Sequence, residues 1–228
     1  MKRGDFVEID FVGRLVTTGE VFDLTDEGVA KKEGVYNPKQ KYKPSLVVIG
    51  SNMTVPGVEK ELERMEPGHE EEFEVAPGDA FGGRDMKLVR IVSMSKFLKE
   101  NITPVPGMFV DIDGMQTKVL SVAGGRVRVD FNHPLAGKAL KYKVKVVRQI
   151  TDALEKARSL LGFYGIKCEA GLEGDVLSLE MEKPMNEFLK KFATENIMKW
   201  VPEIKSVVFS DRESKREKSK PSEEQKKA

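Results

Sequence analysis

Cysteine and histidine are scarce in this sequence, and their scarcity excludes several kinds of chemistry. The 228 residues include one cysteine, Cys168, and two histidines, His69 and His133. One cysteine forms neither an internal disulfide nor a CxxC metal site, and two histidines fall short of a usual zinc site. We therefore expect no metal and no cofactor, and interpret Cys168, on an alternating strand, as a small buried apolar residue.

An excess of charge of one sign is also missing. The 38 Lys and Arg residues nearly balance 37 Asp and Glu, which leaves a formal net charge of +1, so bulk electrostatic binding of nucleic acid is not expected. No window approaches the roughly 18 continuous apolar residues typical of a membrane span, and the opening MKRGDFVEIDFVG lacks a signal-peptide core. We expect a cytoplasmic protein that binds neither nucleic acid nor membrane.

Signatures of covalent and phosphoryl chemistry are absent as well. The sequence contains no GxSxG, P-loop, GxGxxG or HExxH motif, and neither histidine has a serine or cysteine partner close by in sequence. We interpret His69 as exposed beside three glutamates and His133 as a hydrogen-bonded junction residue rather than a ligand.

Hydrophobic periodicity predicts an α+β protein. Alternation favours strands in the first 150 residues, with an amphipathic helix between Pro56 and Pro67, and tight turns at Asp113-Gly114 and Gly124-Gly125 join a small three-stranded meander. After residue 151 the pattern predicts helix, two strands, a second helix over 186–201 and a short closing strand. The charged residues 212–228 predict a disordered tail, although contact of its basic residues with RNA or a ribosome is a second interpretation.

Several aromatic and apolar residues stand at strand and turn positions where a pocket could form. Phe81 lies in the glycine-rich turn APGDAFGG, and Asp23 follows an aromatic residue at a strand end. Taken alone, such residues are as well explained as core, and Asp23 as the cap of a turn.

Four sequence blocks decide between these interpretations. VEIDFVGRLVTTGEVFD, VIGSNMTVPGVEKEL, VAPGDAFG and LKYKVKV occur in an order that resembles the FKBP-type peptidyl-prolyl cis-trans isomerases. About fifty residues ending in VDFNHPLAGKALKY separate the last two blocks, which resembles the SlyD-like branch with its chaperone domain inserted in the flap. The similarity covers about residues 1–150, and the remaining α+β unit resembles the long-chain archaeal members.

The resemblance implies a half-open antiparallel sheet wrapped on the helix that contains Val58. It implies an isomerase domain over 1–85 and 131–150, an inserted β-rich chaperone domain over 86–130, a C-terminal α+β domain over 151–211, and the tail.

The resemblance also implies a pocket for an X-proline bond. Asp23 would orient the substrate backbone, Phe81 and Tyr142 would hold the prolyl ring, Val58 would form the floor and Val47 a flanking wall. Phe11 and Phe81 stand where drug-binding members have tyrosines, and Val58 where they have tryptophan. The residues carried over as catalytic are Phe11, Phe22, Asp23, Val55, Phe81 and Tyr142.

The inserted segment is rich in soft apolar residues for its length, so a small core can scarcely bury them all. An ordinary core and an exposed groove for unfolded chains are both open from the residues, and the resemblance favours the groove. The residues are Met86, Val89, Ile91, Met94, Phe97, Leu98, Met108, Phe109 and Met115; all except Met86 and Leu98 are predicted to bind substrate.

We therefore predict a prolyl isomerase and folding chaperone whose partners are unfolded or proline-containing polypeptides. The alternative is a holdase whose isomerase activity is weak or vestigial, since hydroxyls are missing at Phe11 and Phe81. In the C-terminal unit, Phe192 and Trp200 share one helix face with Phe188, and this face would suit either a homodimer contact or an internal core.

Overall fold

A computed structural model describes residues 1–211, so the predicted tail at 212–228 lies outside the described residues. Its strands are β1 (Phe6–Leu15), β2 (Val21–Leu24), β3 (Ser45–Val48), β4 (Glu70–Val75), β5 (Val89–Ser93), β6 (Phe109–Ile112), β7 (Met115–Ala123), β8 (Arg126–Asp130), β9 (Leu140–Ile150), β10 (Cys168–Glu173), β11 (Val176–Met181) and β12 (Ser206–Asp211). Its helices are α1 (Glu27–Lys32), α2 (Pro56–Leu62), α3 (Met94–Lys99), α4 (Ala153–Phe163) and α5 (Glu187–Trp200). Within residues 1–211, no helix has the length and apolarity to cross a bilayer.

The first sheet is built around the long antiparallel pair β1 and β9. Their register runs from Phe6 opposite Ile150 to Leu15 opposite Leu140. Strand β4 pairs with the other edge of β9, while β2 and β3 share the other edge of β1. All these pairings are antiparallel, and α2 packs on one face of the sheet, so the expected α+β fold with a half-open sheet around a helix is confirmed.

Alternation along β1 sends successive side chains into two different cores. Val7 and Ile9 pack towards α2 with Leu62, whereas Phe6 packs in the opposite direction with Ile150. Each of these residues is at most 2% exposed. The first strand therefore serves two cores at once.

The inserted residues form a separate four-stranded sheet in the order β5-β8-β7-β6. The β6–β7 turn has positive φ at Asp113 and Gly114, and the β7–β8 turn at Gly124 and Gly125. These are the left-handed conformations that two-residue hairpin turns require, so the predicted turns are confirmed. The core of this sheet consists of Phe97, Val110, Ile112, Val119, Val127 and Val129.

The C-terminal unit is helical and sheet-forming as predicted, with Asp152 and Asn186 capping its two helices through their side chains. Strand β12 joins β11 in parallel, next to the antiparallel β10–β11 pair. Its core is continuous with the side chains of Phe6 and Ile150 from the first sheet. The packing therefore has no break at residue 150.

The helix face proposed for a homodimer contact is used mostly inside the chain. Trp200 is 7% exposed in the shared core, and the ring of Phe192 meets Tyr164 edge-on at 4.9 Å. Phe188 is 77% exposed and does not join them. Internal packing thus accounts for Phe192 and Trp200, and the homodimer stays a prediction that these two residues do not support.

Gly57 lets α2 approach β4. A Cβ on Gly57 would lie 2.4 Å from Cγ1 of Val75, a buried β-branched side chain with little freedom to move. We expect Gly57→Ala to lower the free energy of unfolding by about 1–3 kcal/mol through overpacking, measured by denaturant titration.

Gly78→Ala is the matched control, because a Cβ on Gly78 meets nothing within 4 Å. Adding Val75→Ala to Gly57→Ala should recover part of the loss. Equal stability of Gly57→Ala and Gly78→Ala would contradict the close approach.

Candidate functional site

A cavity of about 750 Å³ lies between the first sheet and the start of α2. It falls within the range that small-molecule and peptide side-chain sites occupy. All eight residues predicted for the pocket line it: Phe11, Phe22, Asp23, Val47, Val55, Val58, Phe81 and Tyr142. The structure therefore brings together residues from β1, β2, β3, α2, β9 and the turn after β4.

Gly13 and Thr25 determine how the aromatic wall forms. The ring of Phe22 lies over Gly13, where a Cβ would come within 2.5 Å of the ring. Thr25 Oγ1 accepts a hydrogen bond from Phe11 N–H at 2.9 Å and donates one to Asp10 Oδ1 at 2.9 Å. These contacts attach the segment after β2 to β1, so Phe11, Phe22 and Asp23 face one cavity.

Tyr142 is the centre of the aromatic cluster. Phe22 meets its ring edge-on at 5.7 Å, and Phe11 is tilted against it at 6.2 Å. Edge-on and tilted contacts between rings are favourable beyond the area they bury. Tyr142 is 6% exposed, and no residue within 1–211 forms a hydrogen bond with its hydroxyl.

The cavity raises the pKa values of the Tyr142 hydroxyl and the Asp23 carboxyl. Burial, followed by the nearby charge of Asp23, raises the pKa of Tyr142 to about 12. Partial desolvation raises the pKa of the Asp23 carboxyl above its ordinary value, although the hydrogen bond from Leu24 N–H to Asp23 Oδ1 at 2.9 Å opposes this. Tyr142 is therefore a neutral donor at neutral pH, beside a carboxylate held in an unfavourable environment.

A backbone donor is a further polar group at the cavity. Val55 precedes α2, and its N–H has no hydrogen-bond partner within the described residues. An unpartnered N–H at the lining of an apolar cavity is available to a carbonyl oxygen of a bound chain.

His133 is a cavity residue that sequence reasoning missed. Its ring stacks on Phe81 with centroids 4.2 Å apart and planes 3° apart. Its Nδ1 accepts a hydrogen bond from Leu135 N–H at 3.1 Å, so its predicted place in a hydrogen-bonded junction agrees with the structure. The sequence feature that could have indicated this position is the NHPLAG segment. A hydrogen bond from Gly137 N–H to Gly82 O brings this segment beside the Phe81 turn.

The residues predicted for the insert do not form one exposed surface. Ile91, Met108, Phe109 and Met115 are exposed, whereas Val89 and Met94 are half-buried. Phe97 is 3% exposed at the centre of the insert core, so its predicted place on a binding surface is wrong. Helical spacing in α3 turns Phe97 inward and leaves Leu98 outward, a distinction that composition does not reveal.

Among residues 1–211, no group of three or more histidine, cysteine, aspartate or glutamate side chains is placed to hold a metal ion. The polar groups among the aromatic walls of the cavity include the Asp23 carboxylate, the Tyr142 hydroxyl and the Val55 N–H. This set suits non-covalent binding of a chain segment.

Comparison with known proteins agrees with this arrangement. Residues 1–98 match the FKBP-type peptidyl-prolyl cis-trans isomerase family, and residues 90–135 match a family described as FKBP26, IF domain. A short-type peptidyl-prolyl cis-trans isomerase of Methanocaldococcus jannaschii is 34% identical over 146 residues, which are 64% of this chain and 92% of the relative.

The chain belongs to the FKBP-type peptidyl-prolyl cis-trans isomerases. It is therefore an enzyme of this class. A SlyD isomerase of Helicobacter pylori is 33% identical over 137 residues, 57% of this chain and 67% of the relative. The 16 kDa FKBP-type isomerase of Escherichia coli is 30% identical over 117 residues, which are 50% of this chain and 78% of the relative. These similarities confirm the assignment to the FKBP family and to its SlyD-like members.

Asp23 should make the folded protein less stable at neutral pH. A carboxyl whose pKa is raised by folding binds its proton more tightly in the folded state, so its ionisation disfavours folding as pH rises through that pKa. We expect Asp23→Asn to raise the Tm at pH 7, since the asparagine oxygen can still accept from Leu24 N–H. The gain should shrink as pH falls and vanish near about pH 3, below the ordinary carboxyl pKa.

Thermal unfolding across this pH range measures the effect, with Glu173→Gln, at an exposed position on β10, as the control for net charge. A gain of equal size at pH 3 and pH 7 would mean that desolvation of the carboxylate is not its cause.

Proposed function

We propose that the Asp23 cavity is the isomerase site and that the inserted sheet holds unfolded clients beside it. The barrier to rotation about a peptide bond is about 18–20 kcal/mol, and X-Pro bonds cross it in roughly tens to hundreds of seconds. Twisting the amide removes its resonance and reduces its charge separation, so an aromatic cavity favours the twisted form over the planar one. Lowering the barrier by about 5 kcal/mol would accelerate the reaction a few thousandfold.

The observation that supports this use of the cavity is its set of unpartnered donors. The Tyr142 hydroxyl and the Val55 N–H form no hydrogen bond within the described residues, and both residues line the cavity. A substrate carbonyl would satisfy either donor, and hydrogen bonds from these donors to carbonyls beside the rotating bond would hold the chain in place while that bond rotates. Tyr142 thus offers a hydroxyl in a pocket where Phe11 and Phe81 have none.

Removing the Tyr142 hydroxyl tests this role. We expect Tyr142→Phe to lower kcat/KM for a short Phe-Pro peptide by about five- to tenfold, because one hydrogen bond worth about 1 kcal/mol that holds the substrate chain in the site is lost. Exchange NMR measures the isomerisation rate directly.

Tyr164→Phe is the matched control, since it deletes a hydroxyl that bonds to Asn196 in the C-terminal unit. If Tyr142→Phe and Asp23→Asn both isomerise the peptide as fast as the unchanged protein, the alternative of a holdase with a vestigial pocket gains support.

Client binding by the insert rests on its exposed apolar residues. Ile91 and Phe109 are 68% and 48% exposed on the two edge strands of the insert sheet. Sheet register places both on the face opposite the core, since Ile91 pairs with Arg128 and Phe109 with Lys118. The other large apolar side chains exposed in this part of the chain are Met86, Leu98, Val105, Met108 and Met115. Exposed apolar groups on this scale are typical of surfaces that bind other chains.

Polar substitution of this surface tests the chaperone role. We expect Ile91→Thr/Phe109→Thr/Met115→Gln to need about tenfold more protein to suppress aggregation of a refolding client, because the lost apolar area provided the attraction. Light scattering during client refolding measures this, and turnover of a short Phe-Pro peptide reports whether the pocket remains folded.

The control is Phe188→Thr/Val208→Thr, which removes two exposed apolar side chains from the C-terminal unit. Loss of aggregation suppression in the control, with full suppression by the insert variant, would show that clients bind outside the insert.

A further inference from the structure

A second cavity adjoins the isomerase site and has a different character. It encloses about 580 Å³ and shares Phe11, Asp23 and Ser45 with the first. Its remaining walls come from β1, the end of β2 and Thr25 after it, the loop before β3, Leu46 of β3, and α4 of the C-terminal unit. A chain seated with its X-Pro bond in the first cavity would enter the second with its neighbouring residues, since an extended chain advances about 3.3–3.6 Å per residue.

Positive charge dominates the walls of this second cavity. Lys41, Lys43 and Arg158 line it, and none of them forms an ion pair with another residue in the described part of the chain. Arg158 gives one hydrogen bond to Ala170 O, which leaves most of its five N–H donors unused.

The acidic residues of the same cavity offset little of this charge. Glu8 is held by Arg148, whose Nε lies 2.7 Å from Glu8 Oε2. The Asp23 carboxylate belongs to the boundary with the first cavity. The cavity is therefore lined by three cationic side chains and by one acidic side chain without an ion pair among residues 1–211, Asp23.

The far wall adds an apolar surface. Phe163, at the end of α4, lines the cavity and is 47% exposed. An arrangement of cations beside an aromatic ring fits a peptide segment that carries carboxylates and an apolar side chain.

We propose that this cavity is an extended substrate subsite in which Lys41, Lys43 and Arg158 bind acidic residues flanking the X-Pro bond of a client. The C-terminal unit then contributes directly to substrate selection. The inference rests on the proposed use of the Asp23 cavity as the isomerase site.

Three ten-residue peptides with a central Phe-Pro test the subsite on the full chain. One carries three glutamates before Phe-Pro, one carries them after it, and one has glutamine at all six positions. We expect kcat/KM for one of the acidic peptides to exceed that for the glutamine peptide by about five- to tenfold, through a lower KM, at low ionic strength. The preference should decline as added salt screens the charges.

The variant Lys41→Gln/Lys43→Gln/Arg158→Gln should reduce this ratio below about twofold. Lys41→Gln/Lys43→Gln leaves the Arg158 contact with Ala170 intact and should still remove most of the preference. The matched control Lys167→Gln/Lys183→Gln removes two positive charges at exposed positions of the C-terminal unit. It should keep the preference for the acidic peptide.

Equal turnover of all three peptides by the unchanged protein would overturn the subsite while leaving the isomerase site in place. Equal loss of preference in the control variant would also overturn it, since bulk charge would then be the cause. Absence of any Phe-Pro turnover would overturn the proposed isomerase site together with the subsite.

Discussion

The antiparallel pairing of β1 with β9 is the constraint on which the site depends. Tyr142 on β9 stands opposite Gly13 on β1, and the missing side chain of Gly13 leaves room for the ring of Phe22. A shift of β9 by one residue along β1 would turn Tyr142 to the face of the sheet opposite Phe11. The aromatic cluster is therefore a consequence of backbone pairing, and substitutions that weaken this pairing would disturb the cavity before they touch its residues.

The insert is attached to the isomerase domain through a compact polar junction. Arg84 and Asp130 form an ion pair at 2.6 Å, while Asn132 accepts a hydrogen bond from Asp85 N–H and donates one to Asp85 O. The next residue, His133, stacks on Phe81 in the cavity. The two chain crossings are thus held together within a few residues of the site, and this contact path gives the insert a fixed attachment beside the pocket.

Local patterns in the sequence were sufficient for most elements of the fold. Alternation predicted the strands, and glycine and aspartate at the turns predicted the hairpins of the insert, because each signal concerns neighbouring residues. The pocket residues came from resemblance, since Phe11 and Tyr142 are far apart in sequence and only pairing brings them together. Stacking of His133 on Phe81 and the inward turn of Phe97 depend on tertiary packing, which periodicity does not encode. The parallel pairing of β12 with β11 is equally non-local.

The shared core explains why the C-terminal unit matters to the site. In β3, Val47 lines the cavity while Leu46 and Val48 on either side pack into the core with α4 and α5. Without the C-terminal unit, these two residues and Phe6 and Ile150 would meet water. Burying an apolar side chain of this size is worth about 1.5–3 kcal/mol, so exposing all four would cost a free energy comparable with the roughly 5–15 kcal/mol of net stability of a folded domain. The C-terminal unit therefore packs against the side of β3 that faces away from the cavity. The position of β3 depends on this packing as well as on its pairing with β1.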